Sequence, residues 1–226
     1  VFTFLTSSNI KIKFNFIIRM PHFKFPCHYV YWGQVKDHEN IKSRLLPIID
    51  SLLSENNYDN PFKACTMTTN ISKMTDFIGH ETMDKIIGTH LEEMVSETNC
   101  FPHIKPLDVI ITEYWFNVYQ KGDFQEMHNH QGLPEVRNGK RYDNIFSIVY
   151  ILNSDDEEEN STVFKLTDTN IPYFPMLKQS EFYTGAVKEI KEGTLMIFSN
   201  QLNHFVVPVK TNGRITIAFN VACCFE

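Results

Sequence analysis

The chain has 226 residues, of which 42% are hydrophobic and 13% aromatic, so it can bury a full core as one domain. Its 27 acidic and 21 basic residues give a formal net charge of -6. That balance argues against nucleic acid or an anionic membrane surface as a partner, because each would require a basic stripe. No apolar run approaches the roughly 18 residues of a membrane-spanning helix, so no membrane partner is expected.

The cysteines are odd in number and form no Cys-x-x-Cys pair. This usage is typical of reduced, buried thiols, and it predicts a cytoplasmic location in the producing or host cell. The residues concerned are Cys27, Cys65, Cys100, Cys223 and Cys224.

Residues 1–19 alternate polar and apolar side chains and have no basic n-region, so they make a poor signal peptide. Met20 looks like a natural start. We predict that 1–19 are non-native or a loose arm, and that 20–226 form a single domain. Within that domain, 20–106 read as a helical annex with edge strands and 107–226 as a β-rich core.

The annex opens with an aromatic-rich stretch, Phe23–Trp32, which predicts a strand. Asp37 can then cap a helix, in which Pro47 predicts a kink. The apolar residues of that helix recur at the helical period, at Ile41, Leu45, Ile48 and Leu52.

A further strand is predicted over Phe62–Met67. After Gly79 a second helical stripe follows, formed by Met83, Ile86, Ile87, Leu91, Met94 and Val95. His90 lies on this stripe, and we interpret it as a core or edge histidine rather than as a metal ligand.

From Leu107 onward the sequence consists of short β-rich runs. Turn residues separate them at Gly122, Asn138-Gly139, Gly193 and Asn212-Gly213. This texture predicts a sandwich or a closed double-sheet barrel, with the two helices on an outer face. The runs are Val109–Tyr119, Gln125–His130, Phe146–Leu152, Ser161–Leu166, Thr194–Ser199, His204–Val209 and Arg214–Ala222.

Two histidines, His128 and His130, stand two residues apart at the end of an extended run. Residues with that spacing on a strand point to the same face, and converging imidazoles suit a metal ion. His-x-His pairs also occur on solvated strands and loops. His204, which opens a later strand, is the candidate for a third ligand.

The last strand separates two faces. Arg214, Thr216, Ala218 and Asn220 share one face, and the other is apolar. If the apolar face packs on helices, an arginine points into the barrel, where it requires an anion such as a carboxylate. The alternative is that Arg214 pairs with an acidic neighbour or extends to solvent.

Metal-binding histidines with an inward arginine carry a resemblance to a known family. From Trp115 to Val221 the chain resembles the 2-oxoglutarate/Fe(II)-dependent oxygenase superfamily and, more narrowly, oxygenases of phages and marine bacteria. The resemblance rests on Trp115-Phe-Asn117, Gly122-Asp-Phe-Gln-Glu-x-His128-x-His130, Gly193-Thr-Leu-Met-Ile-Phe-Ser, His204 and Arg214-Ile-Thr216-Ile-Ala-Phe-Asn220. It implies a double-stranded β-helix, or jelly-roll, mainly β with an α annex of two flanking N-terminal helices.

The resemblance also implies Fe(2+) as cofactor and 2-oxoglutarate as co-substrate. By position, His128 corresponds to the first iron ligand and His204 to the distal one. Arg214 and Thr216 correspond to the pair that holds the far carboxylate of 2-oxoglutarate. Further candidates for the co-substrate pocket are Asn117, Tyr119 and Tyr150.

Position 130 departs from the family pattern, because most members carry Asp or Glu two residues after the first histidine. His130 as the third ligand is one interpretation. Glu126, two residues before His128, is a second candidate, and a water-completed site is a third.

The insertion Gln131–Asp143 is long for a barrel connection, and we interpret it as a lid over the substrate or as a passive loop. Its basic residues, Arg137, Lys140 and Arg141, suit an acidic or phosphorylated substrate.

Three functions fit this sequence. The first is an oxygenase that forms succinate from 2-oxoglutarate while it hydroxylates an unknown substrate. The second is a cupin-like metal- or ligand-binding jelly roll without oxidation chemistry, which gives Arg214 no role. The third is a structural jelly-roll protein, which would tolerate loss of the three histidines. Fold alone does not decide among them, and neither the substrate nor the oligomeric state follows from the sequence.

Overall fold

The computed structural model describes residues 3–5, 11–13, 29–54, 67–68, 78–98, 106, 108–155, 162–165, 181–184 and 187–225. At the amino-terminal end, β1 (Thr3–Leu5) and β2 (Lys11–Lys13) pair antiparallel as a separate two-stranded sheet. Whether residues 1–19 belong to the native protein stays a prediction. Among the cysteines, Cys27, Cys65 and Cys100 lie outside the described residues, and Cys223 and Cys224 are buried thiols.

The annex begins with β3 (Val30–Gln34) and α1 (His38–Ser54). Asp37 precedes the helix with a positive φ of 61°, and its carbonyl oxygen accepts from the amides of Asn40 and Ile41. Pro47 lies inside the helix, as predicted. Residues 23–28 of the first predicted strand lie outside the described residues.

The buried stripe of α1 differs from the predicted one. Ile41, Leu45 and Ile49 are buried, whereas Ile48 is 38% exposed. On a helix, Ile48 and Ile49, three and four positions after Leu45, are both neighbours of that residue. Ile49 is the one that is buried in the core. The prediction for Ile48 was therefore wrong.

The second helical region consists of α2 (His80–Met83), a π-helical turn (Asp84–Gly88) and α3 (Thr89–Thr98). Ile86, Ile87 and Met94 are buried in the core, as their spacing predicted. His90 is buried too, and its ring contacts the Tyr31 hydroxyl and the Gln34 carbonyl oxygen. The interpretation of His90 as a core residue is confirmed. Of the strand predicted over 62–67, the structure describes β4 (Met67–Thr68).

The strands of the core agree with the predicted runs, and two short strands are additional. The predicted runs correspond to β5 (Asp108–Tyr119), β6 (Gln125–His128), β8 (Lys140–Asn153), β9 (Thr162–Lys165), β11 (Thr194–Ser199), β12 (Asn203–Val206) and β13 (Arg214–Cys224). The additional strands are β7 (Glu135–Arg137) and β10 (Glu181–Tyr183). Gly122, Gly139, Gly193 and Gly213 all have positive φ angles, consistent with the predicted turns.

The core strands form two antiparallel sheets. The larger has the order β3-β11-β8-β13-β5-β4, with β7 paired to β8, and the smaller has the order β10-β9-β12-β6. Helix α1 contacts β8 and α3 contacts β11, so the helices cover one face of the larger sheet. This is the mainly β jelly-roll with an α annex that the sequence predicted.

Two apolar cores lie on the two faces of the larger sheet. The outer core joins the helices to alternate residues of β8 and β13, including Ile148, Ile217 and Phe219. A smaller core between the sheets contains Ile151, Phe164 and Phe198. Because β13 has its apolar face toward the helices, its polar face lies toward the interior, as the alternation predicted.

Candidate active site

Three imidazoles meet at one end of the space between the sheets. His128 on β6 and His204 on β12 are paired residues of neighbouring strands, and His130 follows β6. Their potential ligand atoms lie within 4.8 Å of one another. The ring centroids are separated by 4.3 Å for His128 and His204, 4.9 Å for His130 and His204, and 5.2 Å for His128 and His130. The structure thus brings the three predicted ligands together.

Hydrogen bonds define the tautomer of each ring. The Nδ1 atom of His128 lies 2.7 Å from the Glu126 carbonyl oxygen, and that of His204 lies 3.1 Å from the Leu202 carbonyl oxygen. The Nδ1 atom of His130 lies 3.0 Å from Oδ1 of Asn220. A carbonyl oxygen only accepts, so Nδ1 donates in each case, and the neutral ring then carries its lone pair on Nε2, the arrangement a metal ligand requires.

The electrostatics keep these rings neutral. Burial, reinforced by the neighbouring His128, lowers the pKa of His130 to about 4. Burial and the two neighbouring rings hold the pKa of His204 well below its usual range, and burial lowers the pKa of His128. Three neutral imidazoles suit a divalent transition metal such as iron, so the donor set fits the metal that the sequence implied.

Glu126 does not belong to this cluster of ligand atoms. Its side chain is exposed, and its main-chain oxygen is what contacts His128. A strand residue two positions before His128 shares its face, but the cluster at this site consists of His128, His130 and His204. Within the described part of the chain, the donor set therefore favours His130 over Glu126 as the third ligand.

A narrow cavity connects the imidazoles to the buried arginine on β13. Arg214 is 2% exposed, Nη2 donates to Oγ1 of Thr162 at 3.2 Å, and the guanidinium carbon lies 4.8 Å from the centroid of the Tyr119 ring. The lining residues are Trp115, Asn117, Tyr119, Gln125, His128, His130, Val149, Thr162, His204, Val206, Arg214, Thr216 and Ala218. The cavity thus has a metal-binding donor set at one end and a cation at the other.

Asn117 and Thr216 lie side by side in this cavity. They are cross-strand partners, and Nδ2 of Asn117 lies 3.3 Å from Oγ1 of Thr216. Asn117 is 4% exposed, and its Oδ1 atom contacts no hydrogen-bond partner among the described residues. A buried amide of this kind indicates a polar ligand in the cavity. Tyr119 donates to Oε1 of Gln125 at 3.1 Å and contributes its ring to the wall.

Tyr150 does not line the cavity, contrary to its assignment as a co-substrate residue. Its hydroxyl lies 2.6 Å from Nδ1 of His38 on α1, and its ring belongs to the outer core. Successive residues of a strand alternate between faces, so Val149 rather than Tyr150 reaches the interior. The prediction for Tyr150 was wrong, because its side chain lies on the face of β8 that packs in the outer core.

A second, wider cavity borders the histidines. It shares Trp115, His128 and His130 with the inner cavity and is otherwise lined by Thr112, Glu113, Asn129, Gln131, Gly132, Leu133, Glu135, Asn144 and Asn220. The first part of the Gln131–Asp143 insertion therefore forms one of its walls. The remainder is a hairpin in which β7 pairs with the start of β8 across Asn138 and Gly139. A lid motion of this segment stays a prediction.

The two arginines of this hairpin are paired with carboxylates, and the hairpin's three basic residues are not among those that line the cavity. Arg137 forms a two-pronged contact with Glu135, with distances of 2.6 and 3.0 Å, and Arg141 contacts Asp143 at 2.7 Å. Because these guanidinium groups already meet carboxylates, the argument for an acidic substrate loses its support.

Sequence reasoning missed several residues of the site. Trp115 lines both cavities, with its ring centroid 5.2 Å from that of His130. Thr162 contacts Arg214, and Asn220 contacts His130. The sequence placed Asn220 on the inward face of the last strand. Its contact with His130 could be inferred only from the structure, which shows that the end of β6 lies beside β13.

Comparison with known proteins supports the same chemistry. Residues 113–220 match the sequence model of the family described as "Putative 2OG-Fe(II) oxygenase". This segment contains the three clustered histidines, His128, His130 and His204, and also Arg214. No curated protein sequence matches the chain.

Several solved structures share the fold. A Pseudomonas putida prolyl-4-hydroxylase is 15% identical with a TM-score of 0.51, and the match covers 88% of this chain and 94% of that one. HygX from Streptomyces hygroscopicus, with nickel and 2-oxoglutarate bound, is 11% identical with a TM-score of 0.53, and the match covers 85% of this chain and 81% of that one.

A prolyl hydroxylase from Trichoplax adhaerens, in complex with a peptide fragment of the hypoxia inducible factor oxygen degradation domain, is 11% identical. Its TM-score is 0.51, and the match covers 87% of this chain and 83% of that one. At these identities the likeness shows the fold. The narrower resemblance to oxygenases of phages and marine bacteria stays a prediction. Together, the family match over residues 113–220 and the shared fold support the 2-oxoglutarate/Fe(II)-dependent oxygenase superfamily for this part of the chain.

Proposed function

We propose that this protein couples the oxidative decarboxylation of 2-oxoglutarate to the oxidation of a substrate, with the three-histidine cluster as its iron site. The observation that carries the proposal is the placement of His128, His130 and His204 at one end of a narrow cavity whose other end holds the buried Arg214. These two groups have the chemistry to bind one small molecule that chelates a metal and carries a second carboxylate.

The protein's own contribution at the metal is the orientation of three neutral rings. Each donates from Nδ1 to an oxygen, so each presents Nε2. When bound, Fe(II) with 2-oxoglutarate and O2 supplies the oxidation of the substrate, with release of succinate and CO2. No residue of the chain is assigned as a separate acid or base.

The co-substrate would be held at its far carboxylate. Arg214 presents a planar guanidinium that can bind a carboxylate through two parallel hydrogen bonds, and Thr216 adds a hydroxyl two residues further on the same face. The amide of Asn117 can contribute as well. The oxygen and nitrogen of an amide are interchangeable by rotation, so a bound carboxylate would favour the orientation in which Nδ2 donates to it. Tyr119 would act as an apolar wall below the guanidinium.

The substrate would reach the metal through the wider cavity, which borders His128 and His130 beside Trp115. Among the structural neighbours, the Trichoplax enzyme is in complex with a peptide, and HygX has been solved with hygromycin B bound. We propose a peptide or a small molecule as the substrate class, and not nucleic acid. The thiols Cys223 and Cys224 are consistent with a reducing cytoplasm. Among the helices of the described segments, none combines the length and apolarity needed to cross a membrane.

The test begins with anaerobically purified protein and Fe(II). We expect one Fe(II) per chain, 2-oxoglutarate binding that depends on the metal, and slow succinate formation once O2 is admitted. Metal binding without 2-oxoglutarate binding would instead favour a cupin-like jelly roll. Absence of metal binding, in a protein that assembles without it, would favour a structural role.

A further inference from the structure

We infer that Asn220 and Glu113 are positioning residues for His130, and that Glu113 supplies from behind the ring the negative charge that a carboxylate ligand would carry at position 130. The inference rests on the proposed function, because it concerns the same metal site. It accounts for a metal centre in which a histidine occupies the position where an aspartate or glutamate was expected.

The three side chains behind His130 lie in one row across the larger sheet. Asn220 on β13 has Glu113 on β5 as its cross-strand partner on one side and Ser147 on β8 on the other. The pairing of β13 with β5 shifts register immediately after Asn220. Such irregularities often aim a side chain next to a functional site. The sheet itself therefore determines which groups can meet the Asn220 amide.

The orientation of that amide follows from its two neighbours. Nδ2 of Asn220 lies 3.1 Å from Oε2 of Glu113, and a carboxylate oxygen only accepts. Oδ1 must then face the other way, where it lies 3.0 Å from Nδ1 of His130 and 3.3 Å from Oγ of Ser147. His130 consequently donates from Nδ1, which leaves Nε2 as its metal-binding atom. The carboxylate thus fixes the tautomer of a ring that it does not touch.

His130 differs in this respect from the other two rings. His128 and His204 donate to main-chain carbonyl oxygens, which are neutral and which the strand geometry supplies without any particular side chain. The acceptor of His130, the Asn220 amide, is itself hydrogen-bonded to the carboxylate of Glu113. Polarisation along such a chain makes the imidazole a better donor to a metal cation, and partners of this kind affect metal affinity by roughly 10- to 100-fold.

The test measures Co(II) affinity under anaerobic conditions, separately from the affinity for 2-oxoglutarate at saturating Co(II). Asn220→Leu removes the acceptor of His130, and we expect Co(II) to bind roughly 10- to 100-fold more weakly. Glu113→Gln retains an oxygen that can accept from Asn220 but removes the charge. Glu113 is exposed, so its effect is screened, and we expect a loss of a few-fold that shrinks as the salt concentration rises.

Glu135→Gln is the matched control, because Glu135 lines the same wide cavity but contacts Arg137 instead of the amide behind His130. It should leave Co(II) affinity unchanged, and none of the three variants should alter 2-oxoglutarate affinity at saturating Co(II). Wild-type affinity for Co(II) in either Asn220→Leu or Glu113→Gln, measured at low salt, would overturn the inference. Glu113 is solvent-exposed, so its variant tests the inference even if Asn220→Leu fails to fold. If the wild-type protein binds neither Fe(II) nor Co(II), the proposed function itself is overturned.

Discussion

His128 and His204 are cross-strand partners, paired between β6 and β12 with ring centroids 4.3 Å apart. Two of the three proposed iron ligands are therefore aligned by the register of the smaller sheet alone. His130 lies beyond the end of β6, and its amide donates to the carbonyl oxygen of Asn200 at 2.9 Å. That hydrogen bond holds the third ring against the other two, so the site is organised by the backbone.

Replacing a paired ligand should abolish metal binding. His204→Ala removes the most deeply buried of the three imidazoles, and the remaining two would bind Fe(II) too weakly to survive desalting. Glu126→Gln should retain full metal binding, because the main-chain oxygen of Glu126 is what contacts His128. Elemental mass spectrometry and Co(II) titration would measure metal binding by both variants. Loss of metal in Glu126→Gln with an intact fold would instead support Glu126 as a ligand.

Restoring the usual carboxylate at position 130 should not improve the site. In His130→Asp the new carboxylate would approach Oδ1 of Asn220, and two acceptors repel each other. The amide cannot invert while Glu113 accepts from Nδ2. We therefore expect His130→Asp to bind Co(II) more weakly than wild type.

The double variant His130→Asp/Glu113→Gln provides the control for that explanation. The side-chain amide introduced by Glu113→Gln can donate to Oδ1 of Asn220, which lets the Asn220 amide turn and offer Nδ2 to the aspartate. The double variant should bind Co(II) more tightly than His130→Asp, so the two substitutions should be non-additive in a double-mutant cycle. Additive effects, or a single variant that binds more tightly than wild type, would contradict the proposed role of Glu113.

Local pattern was sufficient to predict most of the fold. The alternation in β13 placed Arg214 and Thr216 inside and Ile217 outside, and the structure agrees. The period of two in a strand and the positive φ at turn glycines are local properties, so they can be inferred without knowledge of the tertiary structure. The convergence of His204 on His128 and His130 required in addition that distant strands pair.

The errors arose where a local pattern leaves the phase or the partner open. Ile48 and Ile49 both satisfy helical spacing, and the packing of α1 on the sheet decided between them. Tyr150 lies in a β8 stretch with apolar side chains on both faces, so alternation could not assign its side. The basic hairpin was expected to attract anions because the sequence does not show which carboxylates its arginines contact.

The buried arginine should control co-substrate affinity without affecting the metal. Arg214→Lys keeps a positive charge but loses the planar fork, and a hydrogen bond to a charged group contributes about 1.5–3 kcal/mol. We expect 2-oxoglutarate to bind roughly tenfold or more weakly, with Co(II) affinity unchanged. Arg141→Lys is the matched control, because that arginine is exposed and contacts Asp143. Equal 2-oxoglutarate affinity in Arg214→Lys and wild type would contradict the assignment.

Tyr150→Phe should affect stability and leave the active site intact. Burial and the nearby Glu192 raise the pKa of Tyr150, so its hydroxyl stays protonated beside His38. Loss of that hydrogen bond should lower the free energy of unfolding by about 0.5–1.5 kcal/mol. Thr216→Val, in the cavity, should instead weaken 2-oxoglutarate binding. Isothermal titration and urea unfolding would separate the two effects. A tenfold weaker affinity of Tyr150→Phe for 2-oxoglutarate would indicate that Tyr150 does belong to the co-substrate site.

A close contact between β3 and α3 predicts which glycine of the annex tolerates a side chain. A Cβ atom added to Gly33 would lie 2.7 Å from both Cε1 and Nδ1 of His90. That ring cannot move aside easily, because its Nε2 contacts the carbonyl oxygen of Gln34 at 3.1 Å. Gly33→Ala should therefore lower the free energy of unfolding by about 1–3 kcal/mol.

Gly88→Ala is the control for that prediction, since a Cβ at Gly88 would meet no atom within 4 Å and the residue lies in a helical turn. It should raise the free energy of unfolding by about 0.4–1 kcal/mol, because alanine has less backbone freedom to lose on folding. Urea unfolding of both variants, with the same dependence on denaturant, would test the pair. If Gly33→Ala unfolds at the wild-type midpoint, the helix and the edge strand are not held together as closely as this contact requires.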